Sequence, residues 1–238
     1  MQIINFTYLI INILSSIIPL LFSFDSRLKI RDFFPELFKS IFFVAIVFIA
    51  WDIYFTEIEV WGFTDKYLTG LKIFNLPIEE ILFFICIPYA CTFTYEVVKY
   101  FLQEKYESFL MKLEKQNFNL IQIINNLLIA TSLILFIYNV GRYYSSWTFL
   151  AFSLTIILLY RERFLPLFYL SCLFIFPGFF LVNGILTGIC FNIPVVWYND
   201  LENIALRFFS IPYEDFFYGF VLLVWNVKLY LKFKKVEI

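Results

Sequence analysis

The chain has 238 residues, of which 62% are hydrophobic, 16% are charged and 34 are phenylalanine. A water-soluble domain of this length carries more charge and far fewer phenylalanines, so the composition indicates an integral membrane protein. The net charge of −1 gives no field that would attract nucleic acid, and we expect no nucleic-acid partner.

Seven apolar stretches follow one another along the chain, and a membrane helix needs roughly 20 such residues. No lysine or arginine precedes Arg27, so the first stretch is predicted to be a span rather than a cleavable signal peptide. We predict an all-α membrane protein with about seven transmembrane helices. The fifth stretch is short and is expected to form a tight hairpin with the sixth around Arg161. The predicted stretches cover residues 3–24, 36–55, 77–101, 118–140, 145–160, 164–184 and 212–231.

The basic residues predict the orientation of these spans, because cytoplasmic loops are enriched in lysine and arginine. With the N-terminus outside, 14 of the 18 basic residues fall on the inner side. Lys66, Lys72, Arg142 and Arg207 remain outside. The bias predicts an N-out, C-in protein.

A motif at the start of the third span recurs 135 residues later at the start of the seventh. Residues 75–84 contain Pro-Ile-Glu-Glu, and residues 210–217 contain Pro-Tyr-Glu-Asp. We therefore predict two three-helix repeats, residues 1–112 and 143–238, joined by a connector span within 113–142. Repeats of the same orientation would be related by an axis along the membrane normal, so both motifs would reach the outer side and meet in one cavity.

The carboxyl groups of these motifs have two interpretations. Acidic residues in the first turn stabilise a helix start, which requires no function. Carboxylates at membrane depth are expensive and usually functional, and the repetition favours that second interpretation. The candidate catalytic residues are Glu79, Glu80, Glu214 and Asp215.

Polar and aromatic residues near the motifs are candidates for substrate binding. Asp52 and Asn183 hold matching places near the ends of the second and sixth spans, each followed by a threonine four residues later. Tryptophans in the outer loops are usual interfacial residues, but they would also cover a site. The candidates are Asp52, Thr56, Phe83, Phe84, Asn183, Thr187, Trp197, Asn199 and Phe217.

The whole set of motifs resembles the membrane-integral lycopene cyclase family, which occurs as paired small subunits in some actinobacteria and in fused form in archaea, other bacteria and fungi. Because matching residues occur in both halves, the chain resembles the fused form. The elements that carry the resemblance are Trp51-Asp52 with Thr56, Pro77 to Phe84, Asn183-Gly184 with Thr187-Gly188, Pro194 to Asn199, and Pro212 to Tyr218.

The resemblance implies cyclisation of the ψ end groups of lycopene to β-ionone rings, an isomerisation without net redox change. One carboxyl would be held protonated as the acid, and we expect Glu80 and Glu214 to lie nearest the reaction, with Asp52, Thr56, Asn183 and Thr187 orienting them. The partner would be lycopene from the bilayer of the cell membrane, with a homo-oligomer or other carotenoid enzymes left open. The sequence has no histidine, no C-x-x-C pair and no phosphate-binding glycine loop, so we expect neither metal nor cofactor.

Several alternatives stay open. A carotenoid hydratase would protonate the same double bond and let water capture the cation. A retinal-binding photoreceptor needs a lysine midway along span seven, and Lys228 lies about 24 Å beyond Pro212. A membrane prenyltransferase would show Asp-rich magnesium sites, and a purely structural subunit would not depend on the motif acids.

Overall fold

The computed structural model describes residues 3–115 and 120–235, in which the chain forms seven α-helices and three small sheets. Six of these described helices are long and apolar enough to cross a membrane, whereas α5 has only 16 residues. The prediction of an all-α protein with membrane helices is confirmed, while its orientation and its division into repeats stay predictions. The helices are α1 (Thr7–Phe22), α2 (Phe34–Glu57), α3 (Ile78–Lys115), α4 (Leu120–Tyr138), α5 (Tyr143–Leu158), α6 (Leu165–Leu186) and α7 (Tyr213–Phe233).

Local sequence explains where several helices begin and end. Pro35 and Pro166 lie in the first turns of α2 and α6, where a fixed φ suits the helix and no N–H is needed. Helix α6 ends at Leu186, and Gly188 two residues later has a φ of +111°, a conformation that favours glycine. The predicted start of the fourth span at 118 lies outside the described residues. The predicted repeat boundary at 112 falls within α3.

The predicted hairpin of the fifth and sixth stretches is wrong. Helix α5 packs mainly against α4 and α7, although only a short turn separates it from α6. Small side chains let α4 and α5 approach closely, and the hydroxyls of Ser132 and Ser153 form a hydrogen bond of 2.7 Å across the contact.

Helices of one half of the chain pack against helices of the other half. Helix α1 packs on α3 and α5 on α7, but α2 also packs along α7, and α6 along α3. Helices α3 and α7 contact each other as well. The ends of α2 and α6 and the starts of α3 and α7 therefore meet at one end of the bundle, which places the recurring motifs side by side.

Short strands close this end of the bundle. Strand β1 (Trp61–Phe63) pairs with β4 (Val196–Tyr198) in antiparallel register, with Gly62 opposite Trp197. Two hairpins, β2 (Lys72–Ile73) with β3 (Leu76–Pro77) and β5 (Arg207–Phe208) with β6 (Ile211–Pro212), lead directly into α3 and α7. Their turn residues, Phe74 and Phe209, both have a φ of 56°. The 135-residue spacing of the motifs therefore recurs in the backbone of these loops.

Candidate active site

A cavity of about 70 Å³ lies beneath the β1–β4 sheet, where the four helix ends meet. Its lining includes the carboxyl groups of Asp52, Glu80 and Asp215 and the amide of Asn183. All four residues are at least nine-tenths buried. The structure thus brings five of the thirteen predicted site residues to one cavity, the fifth being Phe83.

Asp215 has the most hydrogen-bond donors among the three carboxyls of the cavity. Tyr144 donates its hydroxyl proton to Oδ1. At Oδ2, the amide of Asn183 donates over 2.6 Å and the hydroxyl of Tyr198 over 3.0 Å. Three neutral donors on two oxygens stabilise the carboxylate form of Asp215.

Glu80 and Asp52 have fewer donors. The hydroxyl of Tyr8 donates to Oε2 of Glu80 over 2.5 Å. The indole N–H of Trp61 donates to Oδ1 of Asp52, and the hydroxyl of Thr56 lies 3.5 Å from the same oxygen. Oδ2 of Asp52 is buried and has no partner among the described residues.

Glu79 and Glu214 do not line the cavity, although the sequence placed them with Glu80 and Asp215. Oε1 of Glu79 accepts the backbone N–H of Thr69 over 2.7 Å. Oε1 of Glu214 accepts the backbone N–H of Ile204 over 2.8 Å and the hydroxyl of Ser145 over 2.5 Å. Both carboxyls therefore fasten a loop to a helix start. Glu80 and Glu214 were expected to lie nearest the reaction, whereas the carboxyl of α7 that lines the cavity with Glu80 is that of Asp215, the next residue.

Other predicted binding residues surround the cavity without lining it. Phe84 packs on Phe48, and Phe217 packs between Phe149 and Phe152. Thr187 donates its hydroxyl to the carbonyl of Asn183 over 2.8 Å, so it acts on the helix end.

Trp197 and Asn199 belong to the loop that covers the cavity. The indole of Trp197 lies against Gly62, where a Cβ would be only 2.3 Å from Cζ2 of the ring. The backbone N–H of Asn199 donates to the carbonyl of Val60 over 2.9 Å. These contacts join the loop after α6 to the loop after α2. The two loops together cover the cavity and are called the lid.

Four aromatic rings of the cavity wall surround the carboxyl groups. The ring centroid of Trp61 lies 5.1 Å from that of Tyr144 and 6.0 Å from that of Tyr218. Tyr144 also stacks on Tyr198 at 5.7 Å. Burial and the neighbouring Asp215 carboxyl raise the pKa of the Tyr198 phenol well above its usual range, so this hydroxyl is a neutral donor. The faces of such rings attract positive charge.

Sequence reasoning missed Tyr8 and Tyr144, which supply the hydroxyls to Glu80 and Asp215. A usable signal was present, because each tyrosine opens the first helix of its half and the two are 136 residues apart. Trp61 and Tyr198 lie in the two outer loops whose tryptophans the sequence predicts to be interfacial residues or to cover a site.

Lys228, the lysine that a retinal site would need, lies away from the cavity. Its ammonium group is 2.5 Å from Oε1 of Glu162, in the turn that follows α5. It also lies over the ring of Phe164. The ion pair holds Lys228 near the C-terminal end of α7, whereas the carboxyl groups of the cavity lie near its start.

Comparison with known proteins gives the chain a family. The family model described as lycopene cyclase matches residues 5–98 and 141–233. Two fungal proteins, each named bifunctional lycopene cyclase/phytoene synthase, are similar over shorter segments. The protein of Leptosphaeria maculans is 30% identical over 66 residues, which is 26% of this chain and 11% of the fungal protein. The protein of Phaeosphaeria nodorum is 28% identical over 99 residues, which is 40% of this chain and 16% of the fungal protein.

The matched segments are a small part of both fungal proteins, and no solved structure matches this chain. The family match, by contrast, covers most of the chain and includes all three carboxyl groups of the cavity. The chain belongs to the lycopene cyclase family.

Proposed function

We propose that this chain is a membrane lycopene cyclase that converts ψ end groups to β-ionone rings by acid–base chemistry. The observation that carries the proposal is the buried cavity in which Asp52, Glu80 and Asp215 meet beneath aromatic rings. Membership of the lycopene cyclase family supports the same reaction.

The reaction needs a proton donor, a cation-tolerant cavity and a proton acceptor. Protonation of the terminal double bond of the substrate produces a carbocation, which the neighbouring double bond attacks to close a six-membered ring. Loss of a proton from the ring then restores a double bond. One proton is added and one is removed, so the product is an isomer of the substrate and no oxidant or reductant is consumed.

The hydrogen bonds distinguish the carboxyl that acts as the acid from the one that acts as the base. Glu80 receives a hydrogen bond from Tyr8, whereas Asp215 receives hydrogen bonds from three neutral donors. A carboxyl with few donors has a less stabilised anion and therefore keeps its proton to higher pH, so it is the one available as the acid. We assign Glu80 as the acid and Asp215 as the base, with Asp52 oriented by Trp61 beside them.

The aromatic wall would stabilise the cation between these two steps. Trp61, Tyr144, Tyr198 and Tyr218 offer ring faces within one cavity. An exposed cation–π contact contributes about 0.5–1 kcal/mol and a desolvated one about 2 or more. A wall of several rings therefore favours a carbocation over its neutral precursor without supplying a nucleophile.

Expression of the chain in a lycopene-accumulating bacterium tests the proposal. Pigment chromatography should show β-ring carotenoids, and the purified protein in detergent should turn over lycopene without added flavin or NAD(P)H. Hydroxylated end groups would indicate the hydratase instead. Lycopene left unchanged by protein that is present in the membrane would overturn the proposal.

A further inference from the structure

A second cavity of about 240 Å³ forms a groove between α1, α3 and α6. Its walls are almost entirely apolar, with Ala90 and Cys91 on one side and Ile175 and Gly178 on the other. Leu181, at its rim, is 63% exposed on a helix long enough to span the membrane. Because such an exposed apolar surface faces lipid in a spanning helix, the groove opens sideways toward the bilayer.

The groove adjoins the carboxyl cavity and shares part of its wall. Phe83, Ile87, Phe179 and Asn183 line both spaces. Asn183 also donates its amide to Asp215. A long apolar molecule lying in the groove would therefore point one of its ends at the carboxyl cavity.

By contrast, aromatic rings pack between α2 and α7. Phe48 lies 5.1 Å from Tyr218 and Trp51 lies 5.3 Å from the same ring, by centroids. Five residues before Asn183 the chain has Gly178, and five residues before Asp52 it has Val47. The two halves of the chain thus differ at this position, where Gly178 lines the groove and Val47 is an exposed side chain.

We propose that the α1–α3–α6 groove seats the polyene chain of the substrate and presents one end group at a time to the carboxyl cavity. The inference rests on the proposed function and adds the binding site and its direction. A substrate seated in this groove brings its second end to the acids only after the first product is released and rebinds reversed. Free monocyclic carotenoid should therefore build up before bicyclic product during a time course.

A bulky residue at Gly178 tests the groove. A Cβ at this position meets no atom within 4 Å, so the fold accommodates a side chain there. We expect Gly178→Trp to lower turnover at limiting lycopene at least tenfold. Leu173→Trp, on the same helix at a residue 68% exposed and outside the groove, should stay within twofold of the parent. Unchanged turnover in Gly178→Trp beside an active parent protein would overturn the groove and leave the cyclase function standing. An inactive parent protein would instead overturn the function.

A thiol at the same position gives a readout that does not depend on turnover. In a background with Cys86→Ala, Cys91→Ala, Cys172→Ala and Cys190→Ser, Gly178→Cys places the one thiol in the groove, and Leu173→Cys places it on the outer face of the helix. We expect lycopene to slow alkylation of the first thiol several-fold and to leave the second unchanged. Equal alkylation rates of Gly178→Cys with and without lycopene would overturn the proposal even if the parent enzyme is active.

Discussion

Asp215 and Glu214 are neighbours in sequence, yet their carboxyl groups do different things. Successive residues of a helix point about 100° apart, so Asp215 enters the cavity while Glu214 turns to Ser145 and the loop at Ile204. Glu80 and Glu79 divide in the same way at the start of α3. Each motif therefore supplies one acid for the cavity and one that fastens a loop.

The motifs predicted these four acids but not their division. A carboxyl pair that begins a helix looks the same whether its members face a cavity or a loop, because the pattern contains no information on the partner elements. The partners are distant in sequence, as Tyr144 is 71 residues from Asp215. Such contacts arise from helix packing, which hydropathy does not specify.

Removal of one hydroxyl tests the assignment of Asp215. Tyr144→Phe deletes a donor to Oδ1 and leaves the ring in place. A lost hydrogen bond to a charged group costs about 1.5–3 kcal/mol, so we expect the rate of cyclisation to fall roughly 10- to 100-fold. Tyr143→Phe, at an exposed neighbour, serves as the control. Turnover of Tyr144→Phe equal to that of the control would contradict the assignment.

Glu214 should affect stability more than chemistry. Glu214→Leu leaves the hydroxyl of Ser145 and the N–H of Ile204 without their acceptor in a buried place. Each unsatisfied group costs about 1–3 kcal/mol, so the midpoint of thermal unfolding in detergent should fall by several degrees. The protein that remains folded should keep more activity than Asp215→Asn. A variant as stable as the parent but inactive would place Glu214 in the chemistry after all.

At the scale of elements, the β1–β4 sheet joins the two halves of the lid. The indole of Trp197 occupies the space that a side chain at position 62 would need. We expect Gly62→Ala to displace the indole, lower the thermal midpoint and reduce turnover. Trp197→Ala removes the obstructing ring, so the double variant should be no less stable than Trp197→Ala alone. If the stability losses of the two single variants add up in the double variant, the clash with the Trp197 ring is not the reason why Gly62→Ala destabilises the protein.

Hydropathy predicted the positions of the helices to within a few residues, because a run of apolar residues is itself the signal for a membrane helix. The exception is α3, which continues to Lys115, 14 residues beyond the predicted end of the third stretch. Hydropathy failed for the partner of α5. Proximity along the chain favoured α6, but the small-residue contact with α4 and the contact with α7 determine where α5 packs. The paired strands of the lid were also not predicted, because strands of two or three residues are too short to show an alternation of apolar and polar residues.

At the scale of the molecule, the predicted orientation has a direct test. Cys190 is exposed in the loop after α6, whereas the other cysteines lie in α3 and α6. An N-out, C-in protein places this loop on the outer side, so a membrane-impermeant thiol reagent should label the protein in right-side-out spheroplasts. Cys190→Ser should abolish the label. Labelling that requires permeabilised membranes would reverse the orientation.

The helices of the two halves cross so that the carboxyl-bearing ends meet at one end of the bundle. The first half supplies Asp52 and Glu80, and the second supplies Asn183 and Asp215. Neither half on its own therefore forms the cavity. This shared site is the physical basis for assigning the chemistry to the whole chain.

The most direct test compares Glu80→Gln and Asp215→Asn with Asp200→Asn, an exposed acid in the covering loop. Proton transfer by a positioned group contributes about 100- to 10,000-fold. Turnover of lycopene by purified, folded protein should fall at least 100-fold in each of the first two variants and stay within twofold in the third. Cyclisation at the parent rate in either Glu80→Gln or Asp215→Asn would contradict the account.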